Sequence, residues 1–262
     1  MDLREVKISK SKDRHPWELA RSKVVKSLIN RFFPAINQRE TQVLDIGCGD
    51  TWLIEQLSKA FNNSKYTAVD IAFTDELLSD YKQRLDPSKF SVYKTLDEAF
   101  DNNTTKIDLI LLLDVIEHIE DDISFLKWVQ TFSENITEDT LYLITVPAYQ
   151  SLFCKHDEFL GHYRRYTNKT LKKHIDKAGL ETIHVGYFFS FLLPFRWIIS
   201  SMEKLGLSNK EVKGIGDWKS KPTDKLIKSL LMADYKISSV LNKVGIKLPG
   251  LSNYIICKKK LK

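Results

Sequence analysis

A chain of 262 residues, 43% apolar and 28% charged, has the composition of an ordinary globular protein that can bury one large core with decorations. The net charge of +6 comes partly from the tail Lys258-Lys259-Lys260-Leu261-Lys262 and from lysines after residue 200, and reads as a solvated basic surface ahead of a nucleic-acid or anionic-membrane surface. Cys48, Cys154 and Cys257 are too widely spaced for a metal-ligand pattern or a disulfide framework, and the polar N-terminus does not read as a secretory signal, so a reducing, cytoplasmic location is expected.

Residues 1–15 are polar. From Trp17 to Phe33 the residues Ala20, Val24, Val25, Leu28, Ile29 and Phe32 recur at helical spacing, and Pro34 closes the helix. A strand over Gln42–Ile46 follows, then a helix from Thr51 with Leu53, Ile54, Leu57, Ala60 and Phe61 on one face. Lys65–Ile71 predicts a second strand with Asp70 at its end, Asp75–Arg84 a helix and Phe90–Thr95 a third strand. Ile107–Leu113 is almost continuously apolar, as suits a central strand covered on both faces. Next come an amphipathic helix over Asp121–Asn135, a strand over Thr140–Val146, a lysine-rich helix over Asn168–Ala178 stopped by Gly179, and a sixth strand over Glu181–Tyr187. Strands alternating with helices imply a mainly parallel sheet with right-handed crossovers.

After Tyr187 the alternation stops. Phe188–Leu205 predicts a greasy helix broken at Pro194, 206–223 an exposed loop, Asp224–Val244 a long amphipathic helix and Leu251–Lys258 a last strand. The most apolar run, Tyr187–Ile199, contains Pro194 and Arg196 and is too short to span a bilayer. The expected organisation is one domain over 1–262. It comprises an N-terminal helix over 16–34, a core over 40–187 and 251–258, and a helical insertion over 188–250. That insertion is expected to act as a lid, an interface or a membrane-facing surface.

The chemistry centres on Val43–Trp52, an apolar strand running into Gly47-Cys48-Gly49. Glycines let a backbone approach a ligand closely and accept positive φ. A dinucleotide site would want a third glycine where Trp52 stands, and Asp45 and Asp50 would repel a diphosphate. The same acids suit a ligand bearing an ammonium and a sulfonium, such as S-adenosylmethionine. Asp70, ending strand two, can accept both ribose hydroxyl protons.

Val43–Asp50, Asp70 within Tyr-Thr-Ala-Val-Asp-Ile, and Ile107–His118 together resemble successive motifs of class I S-adenosylmethionine-dependent methyltransferases. The resemblance implies an α/β, Rossmann-like, seven-stranded mixed sheet of order 3-2-1-4-5-7-6 with helices on both faces and strand seven antiparallel. It further implies a cofactor-contacting set of Arg21, Asp45, Gly47, Cys48, Gly49, Asp70, Ile71, Asp114 and Val115. In that set Gly47 and Gly49 approach the methionine part, Asp70 the ribose, Asp114 and Val115 the methionyl end, and Arg21 the ligand carboxylate. Arg21 as a plain surface residue is the alternative.

If a helix starts at Asp114, then Asp114, Glu117 and His118 share one face, similar to an acid-x-x-Glu-His pattern of ubiquinone-type O-methyltransferases that looks like a divalent-metal site. A metal is possible but not favoured, and His118 as a general base or as a structural residue stays open beside it. The stretch from His156 to Tyr166 should lie on the acceptor rim and resembles methyltransferases of bacterial glycan and lipid-linked sugar pathways. There His162 joins His118 as a candidate base, and His156, Arg164 and Arg165 are candidates for holding an anionic acceptor; a loop fixed by its own Arg–Asp pairs is the alternative. The expected acceptor is an oxygen or nitrogen of a small-molecule, sugar or lipid-linked compound, with peripheral membrane contact possible, nucleic acid not favoured and S-adenosylhomocysteine as product. The rivals are an NAD(P)-dependent oxidoreductase and a non-catalytic adenosyl-ligand-binding protein.

Overall fold

The computed structural model of the protein describes residues 13–101, 105–207, 219 and 221–260. The expectations for residues 1–12, for most of the 206–223 loop and for Leu261 and Lys262 lie outside those residues. The strands are β1 (Thr41–Ile46), β2 (Ser64–Val69), β3 (Phe90–Tyr93), β4 (Leu109–Leu113), β5 (Leu141–Pro147), β6 (Leu180–Phe188) and β7 (Ser252–Lys259). They form one sheet in the order β3-β2-β1-β4-β5-β7-β6. The first five run parallel, and β7 is antiparallel to β5 and β6, so the topology is the expected one.

The helices are α1 (Pro16–Phe32), α2 (Trp52–Ser58), α3 (Asp75–Arg84), α4 (Leu96–Asp101), α5 (Asp122–Thr131), α6 (Lys155–Leu160), α7 (Asn168–Lys177), α8 (Leu193–Lys204) and α9 (Asp224–Lys243). Side chains of a strand point alternately to its two faces, and β4 shows the result. Leu109, Leu111 and Leu113 join a core with α1, α2, α3 and α9, while Ile110 and Leu112 join a second core with α4, α5 and α7. Each fully buried side chain of this kind contributes roughly 1.5–3 kcal/mol relative to exposure.

Several local expectations are corrected. Thr51 adopts φ +62° and the helix starts one residue later. The helix expected over Asp121–Asn135 ends at Thr131, because the Ser133 hydroxyl accepts from the Asn135 N–H and the Asn135 carbonyl accepts from the Ile107 N–H. Pro194 does not break a helix. It sits in the first turn of α8, where its missing N–H has no partner to lose. No helix starts at Asp114: that residue takes φ +59°, and only one 3₁₀ turn, Ile116–His118, follows. The rim stretch holds a short helix, α6, which the Asp157 carboxylate caps by accepting from the Cys154 N–H at 3.0 Å.

The rim is fastened to the segment after β4 by a polar zip. Tyr163 N–H donates to the Glu117 carbonyl at 2.8 Å, and Arg164 donates to the carbonyls of Ile119 (3.0 Å) and Glu120 (2.6 Å). Asp122, 2% exposed, accepts from the Tyr166 hydroxyl at 2.7 Å and pairs with His174 Nδ1 at 2.7 Å and with Arg164 at 3.2 Å. Asp122→Ala strands three polar partners at once, so chemical denaturation should show a loss of about 3 kcal/mol or more, against under about 1 kcal/mol for an exposed pair such as Lys106–Asp139.

Candidate active site at the carboxyl edge of the sheet

The parallel strands deliver their following residues to one edge, where open α/β sheets bind ligands. After β1, Gly47 (φ +71°) and Gly49 (φ +61°) turn the chain, and Gly47 N–H donates to the Val69 carbonyl at 2.8 Å. A Cβ on Gly47 would lie 2.7 Å from Val115 Cγ2, so the turn and the segment after β4 are in van der Waals contact. Asp70 follows β2. Its carboxylate accepts from the Gly49 N–H and the Ala72 N–H, both at 2.9 Å, beside the 82%-exposed Ile71.

Beneath the turn Asp45 is buried, and burial pushes its carboxyl up to about 7, with nearby Arg21 acting against that and Asp70 adding to it. Burial, then the charges of Asp45 and Asp70, also push the Cys48 thiol well up, so this cysteine is an inert plug under the turn. Arg21 reaches in from α1. Its Nη2 pairs with Asp114 Oδ2 at 2.9 Å and donates to Thr145 Oγ1 at 3.2 Å, and the Thr145 hydroxyl donates to Asp114 Oδ1 at 2.9 Å. The buried Arg21 Nε has no hydrogen-bond partner among the described residues. Asp50, the second acid of the turn, pairs with Arg14, whose guanidinium also lies 4.9 Å from the centre of the Trp52 ring.

Across the edge stands the other half. His118 and His162 meet edge to face with ring centres 4.6 Å apart. His162 Nδ1 is 2.8 Å from Asp157 Oδ1, which also accepts from Arg165 Nε at 2.8 Å. Burial alone would push the Asp157 carboxyl up, but the hydrogen bonds of His162 and Arg165 hold it well below the usual carboxylate range. An ionised Asp157 can only accept, so Nδ1 of His162 is the nitrogen that donates to it, and in the neutral imidazole Nε2 is the one with the lone pair. One ligand atom each of Glu117, His118 and His162 lies within 4.8 Å of the others. Glu117 is wholly buried, its carboxyl oxygens have no hydrogen-bond partner among the described residues, and burial followed by the Asp114 charge pushes its carboxyl well up.

Arg21, Asp45, Gly47, Cys48, Gly49, Asp70, Ile71, Asp114 and Val115 thus lie around one turn, and His118 and His162 share one cluster. Arg164 and Arg165 are taken up inside the rim, on Asp122 and Asp157, which is the Arg–Asp pairing weighed as the alternative. His156 stacks on Phe159 at 6.4 Å, and burial lowers its pKa. The residues that sequence reasoning missed are Asp157 and Thr145; Glu117, named in the metal-like pattern, is a buried acid. Asp157 was legible only as a capping-box acid three residues after Cys154.

Two outcomes are expected. Asp70→Ala removes a carboxylate suited to ribose hydroxyls, so calorimetric titration with S-adenosylhomocysteine should show affinity lower by roughly tenfold to a hundredfold. Asp45 has a folded-state pKa above its unfolded one, so the ligand-free protein loses stability as pH rises from about 4 to about 7 and is level beyond. Asp45→Asn should abolish that slope and raise the pH 7 stability by no more than about 4 kcal/mol, read from melts across pH 4–8.

Comparison with known proteins places these features. Residues 17–185 match the family described as a methyltransferase domain. No curated protein sequence matches the chain. Among solved structures it is similar in fold to a putative sarcosine dimethylglycine methyltransferase from Galdieria sulphuraria, at 13% identity and TM-score 0.56 over 92% of this chain and 86% of that one. It is similar also to the [4+2]-cyclase SpnF, at 9% identity and TM-score 0.55 over 97% and 86%. Coclaurine N-methyltransferase bound to N-methylheliamine and S-adenosylhomocysteine gives 15% identity and TM-score 0.51 over 91% and 70%. The match over 17–185, with the strand order already described, shows that this chain belongs to the methyltransferase-domain family and is a class I, S-adenosylmethionine-dependent methyltransferase.

Proposed function

We propose that the chain moves a methyl group from S-adenosylmethionine to an oxygen or nitrogen of a small-molecule, sugar or lipid-linked acceptor. The supporting observation is the convergence on one edge of a glycine turn, Asp70 and Arg21 with a histidine pair opposite them. The cofactor fits this edge. Arg21 Nε is a buried donor without a partner among the described residues and suits the ligand carboxylate, Asp70 suits the ribose, and the Gly47 turn suits the methionyl chain. An anionic acceptor is the expectation that Arg164 and Arg165 raise; with both guanidinium groups held inside the rim, the proposal requires no anion.

When bound, the cofactor supplies a methyl carbon activated by its positive sulfur, passing it to the acceptor lone pair, keeping the C–S electrons on sulfur and departing as the neutral thioether S-adenosylhomocysteine. The protein aligns the two partners and takes the acceptor proton. His162 Nε2 is the proposed base, with Asp157 fixing the tautomer and stabilising the imidazolium, and His118 packed against its ring. Cys154, Arg165 and α6 hold Asp157 in place.

The orphaned Glu117 carboxyl favours a second reading of the same cluster, in which Glu117, His118 and His162 bind a divalent cation beside the acceptor and Asp157 orients the ligating imidazole. The comparative test supplies labelled S-adenosylmethionine with small-molecule and lipid extracts, in parallel with thermal shifts against S-adenosylhomocysteine, NAD and NADP. Stabilisation by the nicotinamide ligands alone would sink the methyl-transfer reading, and ligand binding without label transfer would favour a non-catalytic binder. For the base, His162→Ala should lower kcat by roughly a hundredfold to ten-thousandfold at unchanged cofactor affinity, and chelator should have no effect. Chelator inactivation reversed by a divalent cation would select the metal reading instead.

A further inference from the structure

The two helices described between β6 and β7 expose an amount of apolar surface that the fold does not account for. On α8, Phe195, Trp197, Ile198, Ile199 and Met202 are exposed, with Trp197 at 61%. On α9, Leu226, Leu230, Ile237 and Val240 are exposed, as is its C-cap Val244, and at 100° per residue they fall on one stripe. Leu231 and Tyr235 occupy the opposite face of α9, buried in the core shared with α1. Exposed apolar faces of this extent mark contact sites.

The charges around this surface identify what it contacts. Lys225, Lys236 and Lys243 are exposed and follow the α9 stripe along one flank. The acids of α9 are turned elsewhere: Asp224 is buried, and Asp234 accepts from the N–H groups of Ser190 (2.7 Å) and Phe191 (3.2 Å). A second copy packed on this stripe would bring lysine rows to an apolar seam with no acid on α9 to answer them. An anionic lipid surface answers both the apolar residues and the lysines. Among the described residues no helix is long and apolar enough to cross a membrane, so the contact is peripheral.

The same surface is joined to the acceptor rim. Arg196 of α8 donates to the Cys154 thiol and Lys204 to the Ser151 carbonyl. Between rim and helix lies a cavity of about 390 Å³ whose walls include Tyr149, Leu152, Leu193, Pro194 and Trp197. We propose that the exposed faces of α8 and α9 seat the protein on an anionic bilayer and that the apolar cavity receives the hydrocarbon portion of a lipid-borne acceptor. The acceptor half rests on the methyltransferase reading; the docking half does not.

The test sediments the full chain with vesicles of phosphatidylcholine and of a phosphatidylcholine–phosphatidylglycerol mixture, at low and high salt, with the thermal shift by S-adenosylhomocysteine measured alongside. Binding to the mixed vesicles, weakened by salt, is expected. The combined variant Phe195→Glu, Ile198→Glu, Ile237→Glu, Val240→Glu, all at exposed positions, should bind mixed vesicles less by roughly tenfold or more while its thermal shift is unchanged. Equal, negligible sedimentation with both vesicle types overturns the docking proposal. So does a wild-type dimer by light scattering that ignores vesicles and that the four substitutions dissociate. Vesicle binding without any response to S-adenosylhomocysteine would keep the docking surface and overturn the methyl-transfer reading.

Discussion

A parallel sheet covered by helices on both faces leaves almost no place for polar side chains along its central strands, and this constraint organises the molecule. Leu109 to Leu113 are buried without interruption, so the first polar side chain that β4 can present is Asp114, just past its end. Asp70 after β2 and the glycine turn after β1 lie at the same edge. Chemistry is confined to the carboxyl edge because the rest of each strand is committed to two cores. Some of the polar groups that do enter the interior come with partners. Thr145 on β5 serves Asp114 and Arg21, and Asp108 at the other end of the sheet accepts from the Gln42 N–H and from Arg39.

The two halves of the edge are built differently. The cofactor half is assembled from short local turns whose backbone N–H groups and carboxylates answer one another within a few residues of each strand. The histidine half depends on residues far apart in sequence, brought together by the zip between 116–122 and 162–166. Asp157 and Asp122 are its two buried anchors, each serving one histidine and one arginine. A change at Asp157 therefore acts on His162 directly, and one at Asp122 reaches the cluster through the zip.

This difference explains what could be read from sequence. Apolar runs and glycine turns are local signals, so the strand order, the Gly47–Gly49 turn and the strand-ending acids were legible. Arg164 and Arg165 looked available to a ligand because sequence does not show that Asp122 and Asp157 are folded against them. His118 and His162 could be nominated separately, but their contact at 4.6 Å is a product of tertiary pairing. Pro194 was misread for a related reason: its effect depends on its position within a helix, and in a first turn it is tolerated. Asp114 escaped the helical pattern because its backbone is committed to a left-handed turn that places its carboxylate on Arg21.

That turn has company. Among the described residues, the non-glycine positions with positive φ are Thr51, Asp114, Tyr149 and Phe189, and each follows the carboxyl end of a strand, β1, β4, β5 or β6. A left-handed conformation disfavours an L side chain by roughly 1–2 kcal/mol, a strain that glycine would relieve. The side chains present have uses that glycine would forfeit. The Thr51 hydroxyl joins Glu55 and Arg84, Tyr149 stacks on Tyr187 at 5.4 Å, and Phe189 is fully buried against Phe188. Glycine substitution along this rim would trade backbone relief for a loosened wall, so the edge of the sheet is where thermostability and a well-shaped site pull in opposite directions.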